Sequence, residues 1–313
     1  MRLATRANGR RDGALIVVSG DGTRYLPTDG TMQSALDQWH RCEQVLRALA
    51  VRLDAGQGEP LDPETLLAPL PRAWQWLDGS AFATHGELMQ QAFRLPPIET
   101  DRPLMYQGMS HRFLSGHADV ALPSEADGID FEGEFAIVTD DVPMGCSADD
   151  ALGHIHLILL LNDWSLRAIA PIEMKTGFGW VQAKPACSVA PFAVTPDELG
   201  DAWRDGRVCL PLSVEVNGTW FGSPLGDAMA YGFHELIAHA ARTRDLPAGT
   251  IIGSGTVSNA NHAEVGSTCL SERRAIEMIE HGSPQTPFLR FGDRVAMHAG
   301  DRFGRLDQQV VRG

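Results

Sequence analysis

The chain has 313 residues, 43% of them hydrophobic, enough to bury one large core with a small satellite domain beside it. Forty acidic against twenty-six basic residues leave a formal charge of -14, which disfavours nucleic acid or an anionic membrane as a partner. The five cysteines (Cys42, Cys146, Cys187, Cys209, Cys269) are odd in number and form no C-x-x-C pair, so they read as reduced thiols of a cytoplasmic protein, not as a disulfide framework or a zinc knuckle.

In chain order, Asn8-Gly9 and Asp21-Gly22 punctuate a hairpin-like unit around the strand candidate Ala14 to Ser19. Its apolar part, Ala14 to Val18, is too short for the core of a signal peptide, although Arg2, Arg6, Arg10 and Arg11 precede it. From Thr31 to Leu53, Met32, Leu36, Trp39, Val45, Leu46, Leu49 and Leu53 mostly follow helical spacing and predict one amphipathic helix. The Gly-, Pro- and acid-rich segment 54–71 reads as a linker, which places a domain boundary near 70: a small domain over 1–70 and a larger one over 71–313. Short strand candidates dominate the larger part, with helices predicted at about 147–161 and 232–243. The longest apolar run, around Leu157, is too short to span a bilayer. The class expected is α+β, mainly β with a few helices, and no internal repeat is visible.

Acids gather where a folded protein resists them. Ile129 to Val138 alternates like a strand, with Asp130, Glu132 and Glu134 on one face and Phe131, Phe135 and Ile137 on the other. Like charges side by side in a cleft require protonation or a cation. Ser147 with Asp150 resembles a helix-opening cap, and the run His156 to Leu161 then delivers Asn162-Asp163 at the helix end. An aspartate there opposes the helix dipole, so Asp163 needs a positive partner, either a metal or Arg167.

The pattern D-x-E-x-E, then a predicted helix, then NDWS-x-R resembles the fumarylacetoacetate hydrolase family. The likeness continues in DGSAFATH (Asp78 to His85), in Lys184 followed by Pro191, in Gly255-Thr256-Val257-Ser258 and in FGDRVAMHA, and covers about residues 70–313. It implies a mixed β-roll catalytic domain with a small α/β N-terminal domain. It also implies a divalent metal held by Glu132, Glu134 and Asp163, with Asp78 as a fourth ligand or an acid just outside the ligand shell. Oxygen-only donors suit a hard ion, Mg²⁺ first, with Mn²⁺ or Ca²⁺ as alternatives. His85 is the implied catalytic base. Its orienting carboxylate is Glu87 or Glu272; spacing leaves both open, and the GSTCLSERR context, similar to the family's late glutamate segment, favours Glu272. Lys184 is expected to meet negative charge on a substrate oxygen, and Arg167 to pair Asp163 while gripping a substrate carboxylate.

The activity implied is hydrolysis of a carbon–carbon bond in a 2,4-diketo acid, of the fumarylacetoacetate or acylpyruvate type, in the catabolism of aromatic compounds. The alternatives are a decarboxylase or hydratase of the same family, or a non-catalytic relative keeping the fold. The resemblance further implies a homodimer, for which Trp164, Trp180, Trp203 and Trp220 offer aromatic area. Two departures bear on the substrate: Leu166, Ala168, Ile169 and Ala170 replace a more polar stretch, and Pro185-Ala186-Cys187-Ser188 replaces S-F-D-T. His154 and His156 look like a metal pair, but two apart on the predicted helix they point to nearly opposite sides. The GSGTVS stretch from Gly253 lacks the third glycine of a dinucleotide fingerprint, and no G-x-S-x-G elbow is present.

Overall fold

The strand Ile155–Asn162, IHLILLLN, is covered on both faces, and that accounts for its sequence. Ile158 and Leu160 pack into one core with Phe135, Ile137 and Ile252; Leu157, Leu159 and Leu161 pack into another with Ala136, Val138 and Trp39. A strand buried on both sides loses the alternation that marks a half-exposed one and reads like a buried helix. The predicted helix over 147–161 is corrected accordingly. In this computed structural model, which describes residues 1–96 and 100–313, Ser147 does accept from the Asp150 amide and cap a helix. That helix, Ala148–Ala151, is a single turn, followed by the 3-10 turn Leu152–His154 and then the strand. Asp163 thus stands at a strand end, not at a helix C-terminus.

Ile155–Asn162 is hydrogen-bonded antiparallel to Gly133–Thr139, and Gly133–Thr139 to Ile251–Gly253. Ile251–Gly253 then runs parallel to Trp76–Gly79, with Gly253 opposite Asp78, and Trp76–Gly79 pairs antiparallel with Met105–Gln107. On its other side the sheet continues through Ala193–Val194 into the N-terminal strands Arg2–Arg6, Ala14–Val18 and Arg24–Pro27. The two glycine-marked turns join these strands, Gly9 and Gly22 both having the positive φ such turns require. Residues before and after position 70 therefore share one twelve-stranded sheet. A second, five-stranded sheet is built from Ser213–Val216, Thr219–Gly222, Arg294–His298, Leu306–Arg312 and Val120–Leu122. With helices packed around these mixed sheets, the α+β class expected from sequence is the class observed.

The single helix expected over 31–53 is two helices, Met32–Leu36 and Trp39–Asp54, parted at Gln38, whose backbone (φ -136°, ψ 37°) leaves the helical region. Leu36 before the break and Trp39 after it are both buried. Helices Ala83–Phe93, Ala170–Thr176 and Leu270–His281 are not among those expected from sequence. Ala83–Phe93 buries only Leu88 and Ala170–Thr176 no side chain, so both show little helical periodicity, whereas Leu270–His281 turns Leu270, Ala275 and Ile276 inward. Phe233–Ala240 with its 3-10 extension to Thr243 lies where the helix at 232–243 is predicted. All five cysteines are free. Among the described residues, no helix is long and apolar enough to cross a membrane.

Candidate active site

Three carboxylates converge at one end of the central strands. Asp78, Glu134 and Asp163 are all buried, and one oxygen from each lies within 4.8 Å of the others. Asp78 arrives from Trp76–Gly79, Glu134 from the second position of Gly133–Thr139, and Asp163 from the residue after Ile155–Asn162. Backbone must come close for this to happen. At Gly253 a Cβ would lie 2.4 Å from Asp78 Oδ1 and 3.0 Å from Glu134 Oε2, so glycine is needed there for space.

The electrostatics of the cluster call for a cation. Both oxygens of Glu134 are buried without a hydrogen-bond partner. Burial, then the neighbouring charge of Asp163, pushes the Asp78 carboxyl well above the usual carboxylate range, and burial followed by Asp78 does the same to Glu134. A divalent ion would satisfy the orphaned oxygens and remove the repulsion, and an all-carboxylate donor set fits a hard ion.

Glu132, expected among the ligands, is turned elsewhere. The alternating stretch is interrupted at Phe131–Glu132, between the strands Ile129–Asp130 and Gly133–Thr139, so the three acids of D-x-E-x-E take three different sets of partners. Glu132 accepts from Lys184 Nζ (2.7 Å) and from Arg167 Nη2. Burial by itself would raise its carboxyl, but Lys184 and then Arg167 outweigh burial and hold it far below its ordinary value. Arg167 does not reach Asp163, the partner expected for it; its Nε donates to Asp130 Oδ2 (2.7 Å). Lys184 is the cation beside Asp163, donating to Oδ2 at 2.6 Å, and Asp163 with Glu132 keeps it charged despite burial.

Asp130 joins this half of the site to the other. It also accepts from the amides of Leu270 (2.7 Å) and Ser271 (3.0 Å), the first residues of helix Leu270–His281. Two residues on, in the same first turn, Glu272 is fully buried and its Oε2 accepts from His85 Nδ1 at 2.9 Å. His85 lies in the first turn of Ala83–Phe93, which packs on Leu270–His281. Because Nδ1 donates to the carboxylate, Nε2 is left as the nitrogen with a free lone pair. Glu87 is exposed: two residues apart on a helix, it and His85 point to different sides. Asp130, which accepts from Arg167 and from the first amides of the helix that carries Glu272, ties the dyad and the acids into one site.

Three participants do not stand out as site residues in the sequence. Tyr106 donates from its hydroxyl to Asp163 Oδ2 (2.5 Å), and Cys187 from its thiol to Asp163 Oδ1 (3.0 Å). Burial and then Asp163 raise both groups well above their ordinary values, so they remain protonated donors. Asn162 accepts from the Glu132 amide (3.0 Å) and fixes the interrupted strand. The signal for Tyr106 is cross-strand register, since it lies directly opposite Asp78. For Cys187 it is its place in the altered loop after Lys184.

Comparison with known proteins assigns this arrangement to a family. A family model described as fumarylacetoacetate (FAA) hydrolase C-terminal matches residues 75–311, and one described as fumarylacetoacetase N-terminal domain 2 matches residues 1–72. The chain belongs to the fumarylacetoacetate hydrolase family. Among curated relatives in this family, 2,4-didehydro-3-deoxy-L-rhamnonate hydrolase of Sphingomonas sp. (strain SKA58) is 27% identical over 218 residues, covering 68% of this chain and 66% of that protein. The mitochondrial oxaloacetate tautomerase Fahd2a of Rattus norvegicus is 27% identical over 217 residues, covering 67% and 63%. The matched part thus spans slightly less than two thirds of each of these relatives. Two solved structures of the fumarylacetoacetate hydrolase fold cover the whole chain at 18% identity. They are maleylpyruvate hydrolase from Sphingobium sp. SYK-6, in complex with manganese(II) and pyruvate (TM-score 0.68), and fumarylacetoacetate hydrolase from psychrophilic Exiguobacterium antarcticum (TM-score 0.69), each itself covered completely.

Proposed function

We propose that the chain is a divalent-metal-dependent hydrolase that cleaves a carbon–carbon bond of a 2,4-diketo acid, of the fumarylacetoacetate or acylpyruvate type. The observation that carries this reading is the His85–Glu272 dyad beside an acid triad whose central glutamate has no partner. A metal held by Asp78, Glu134 and Asp163, Mg²⁺ by donor chemistry with Mn²⁺ or Ca²⁺ fitting the same oxygens, would supply Lewis acidity toward the substrate's oxygens. The chain's own groups do the rest. Glu272 holds the imidazole with Nε2 unprotonated, and Nε2 takes a proton from water as the water oxygen bonds to the acyl carbon. The carbon–carbon bond breaks with its electron pair passing to the carbon between the two carbonyls, and the Lys184 ammonium meets the charge as it spreads to the remaining carbonyl oxygen. The imidazolium then returns its proton to that carbon. Arg167, with both donor edges committed to Asp130 and Glu132, serves chiefly to set Glu132 and Lys184 in place.

A second reading is proton transfer without an attacking water, as in a tautomerase or decarboxylase of a 2-oxo acid. It is supported by the oxaloacetate tautomerases among the relatives. A wild-type panel of acylpyruvates, fumarylacetoacetate and oxaloacetate decides between them. Hydrolysis of a diketone is expected; turnover of oxaloacetate alone, with every diketone ignored, would replace the first reading by the second. A non-catalytic relative would have no use for the dyad or Lys184.

We also propose that the chain is a homodimer. Of the tryptophans expected to supply its contact area, Trp164 is fully buried and donates to Ser188 Oγ (2.9 Å), so it belongs to the core. Trp220 is 54% exposed, and Ile172, Phe178 and Val181 add exposed apolar surface beyond Arg167. Light scattering at micromolar concentration is expected to report twice the 34.0 kDa chain mass; the monomer mass alone would contradict the proposal.

A further inference from the structure

A buried carboxylate that no reaction step uses holds the start of the helix carrying the dyad's glutamate. Asp130 is completely buried, and each of its oxygens accepts twice: Oδ1 from the amides of Phe131 (2.8 Å) and Leu270 (2.7 Å), Oδ2 from the Ser271 amide (3.0 Å) and Arg167 Nε (2.7 Å). Leu270 and Ser271 open helix Leu270–His281, whose N-cap is Cys269, so their amides are among those that a helix start leaves without internal partners. Glu272 is the third residue of that helix, and Cys269-x-x-Glu272 has the spacing of a capping box. Half of the box is made, since the Glu272 amide donates to Cys269 Sγ (3.3 Å). The other half, in which the glutamate side chain folds back onto the helix start, is not. Its Oε2 faces His85 instead, and its buried Oε1 has no partner.

We propose that Asp130 is a positioning residue for the general base: by occupying the first amides of the helix it denies them to Glu272 and so commits that carboxylate to His85. This role rests on His85 being the base, as proposed above. Amides at a helix start carry the positive end of the helix dipole, and a carboxylate's bonds to them are charge-assisted, so an anion within reach takes them. Asp130 is fixed for this from two sides. Arg167 donates to the same oxygen as Ser271, and the Asp130 backbone is paired with Ser165. Without Asp130, Glu272 finds two free donors in its own turn of helix against the single one of His85, and its orphaned Oε1 gains a partner by turning to them. His85 then loses the acceptor that keeps its proton on Nδ1, and Nε2 is no longer the bare nitrogen. The cost falls on turnover and not on metal binding, because the partners of Asp130 include none of Asp78, Glu134 and Asp163.

The test is the tautomer of His85, read beside the rate. In the full chain labelled with ¹⁵N in histidine, at mildly alkaline pH where imidazoles are neutral, the His85 ring nitrogens are assigned by their absence from His85→Ala. The wild type is expected to carry the proton on Nδ1 and Asp130→Asn to carry it on Nε2. An asparagine turns its NH₂ toward donors that need an acceptor, which frees a first-turn amide for Glu272. Diketone hydrolysis by Asp130→Asn should lose roughly 10²-fold in kcat with KM and Mg²⁺ affinity unchanged, the pattern of a base displaced from its position. Should Asp130→Asn fold poorly because Arg167 is left unpaired, Asp130→Asn combined with Arg167→Gln removes both charges and puts the same question to His85. A proton that stays on Nδ1 in the folded variant overturns the proposal, whatever the rate does. Failure of the wild type to hydrolyse any diketone would defeat the catalytic reading alone, because the tautomer reports the placement of His85 without turnover.

Discussion

Replacing His85 by alanine is expected to lower kcat for diketone hydrolysis by about 10²- to 10⁴-fold, the usual worth of a positioned general base. Metal affinity should be unchanged, because no oxygen of the triad is touched and His85 makes its hydrogen bond to Glu272, away from those acids. The loss should fall on kcat and kcat/KM together, as it does when an interaction made only in the transition state is removed. Glu272→Gln should reproduce most of the effect, since an amide presenting its NH₂ to Nδ1 would favour the wrong tautomer. Oxaloacetate, run beside the diketones, makes the comparison diagnostic. Decarboxylation needs no attacking water, so its survival in His85→Ala with hydrolysis gone would match a base that activates water. Loss of both with metal still bound would instead assign the histidine to a proton transfer common to the two. Undiminished diketone hydrolysis in the variant would remove His85 from the chemistry altogether.

Stripping the metal should abolish turnover and lower stability without unfolding the protein, and Glu134→Gln should uncouple the two effects. An ion that binds only the folded chain stabilises it by about 2.7 kcal/mol at a hundredfold excess over Kd. In the wild type, calorimetry is therefore expected to show a melting temperature that rises by several degrees with Mg²⁺ or Mn²⁺ and returns on chelation. Three buried carboxylates within 4.8 Å of one another repel when no metal is bound, since Lys184 pairs only Asp163 among them and Glu134 has no hydrogen-bond donor. Glu134→Gln removes one of those charges, so the metal-free variant should melt at or above the metal-free wild type and gain little from added ion. A variant that melts far lower without metal, or is stabilised by it as much as the wild type, would contradict the triad as the binding site. Glu132→Gln is the control. Its loss leaves Lys184 and Arg167 short of a partner, so it should destabilise the protein whether or not metal is present.

Much of this protein is legible in the local chemistry of its chain. The crowding of acids in D-x-E-x-E, the cap at Ser147, the glycine turns at Gly9 and Gly22 and the spacing of Asp78 from His85 are features of short segments, and short segments carry their own signals. Even there, periodicity misleads where both faces are buried. Ile155–Asn162 reads as a helix, and that error gives Asp163 a helix dipole to oppose and sends His154 and His156 to opposite sides. What segments cannot express is who meets whom. Glu272 orients His85 from 187 positions away, through a helix whose first amides rest on Asp130. Lys184 takes Asp163, in the place expected of Arg167, because the interruption at Phe131–Glu132 sends each acid of the motif in its own direction. Tyr106 reaches Asp163 through a strand register opposite Asp78 that no neighbouring residue announces. The sequence by itself determined the residue types and the strain of gathering them. The tertiary structure decided the pairing, because burial leaves each charge only the partners that the sheet and the two packed helices bring within hydrogen-bond reach.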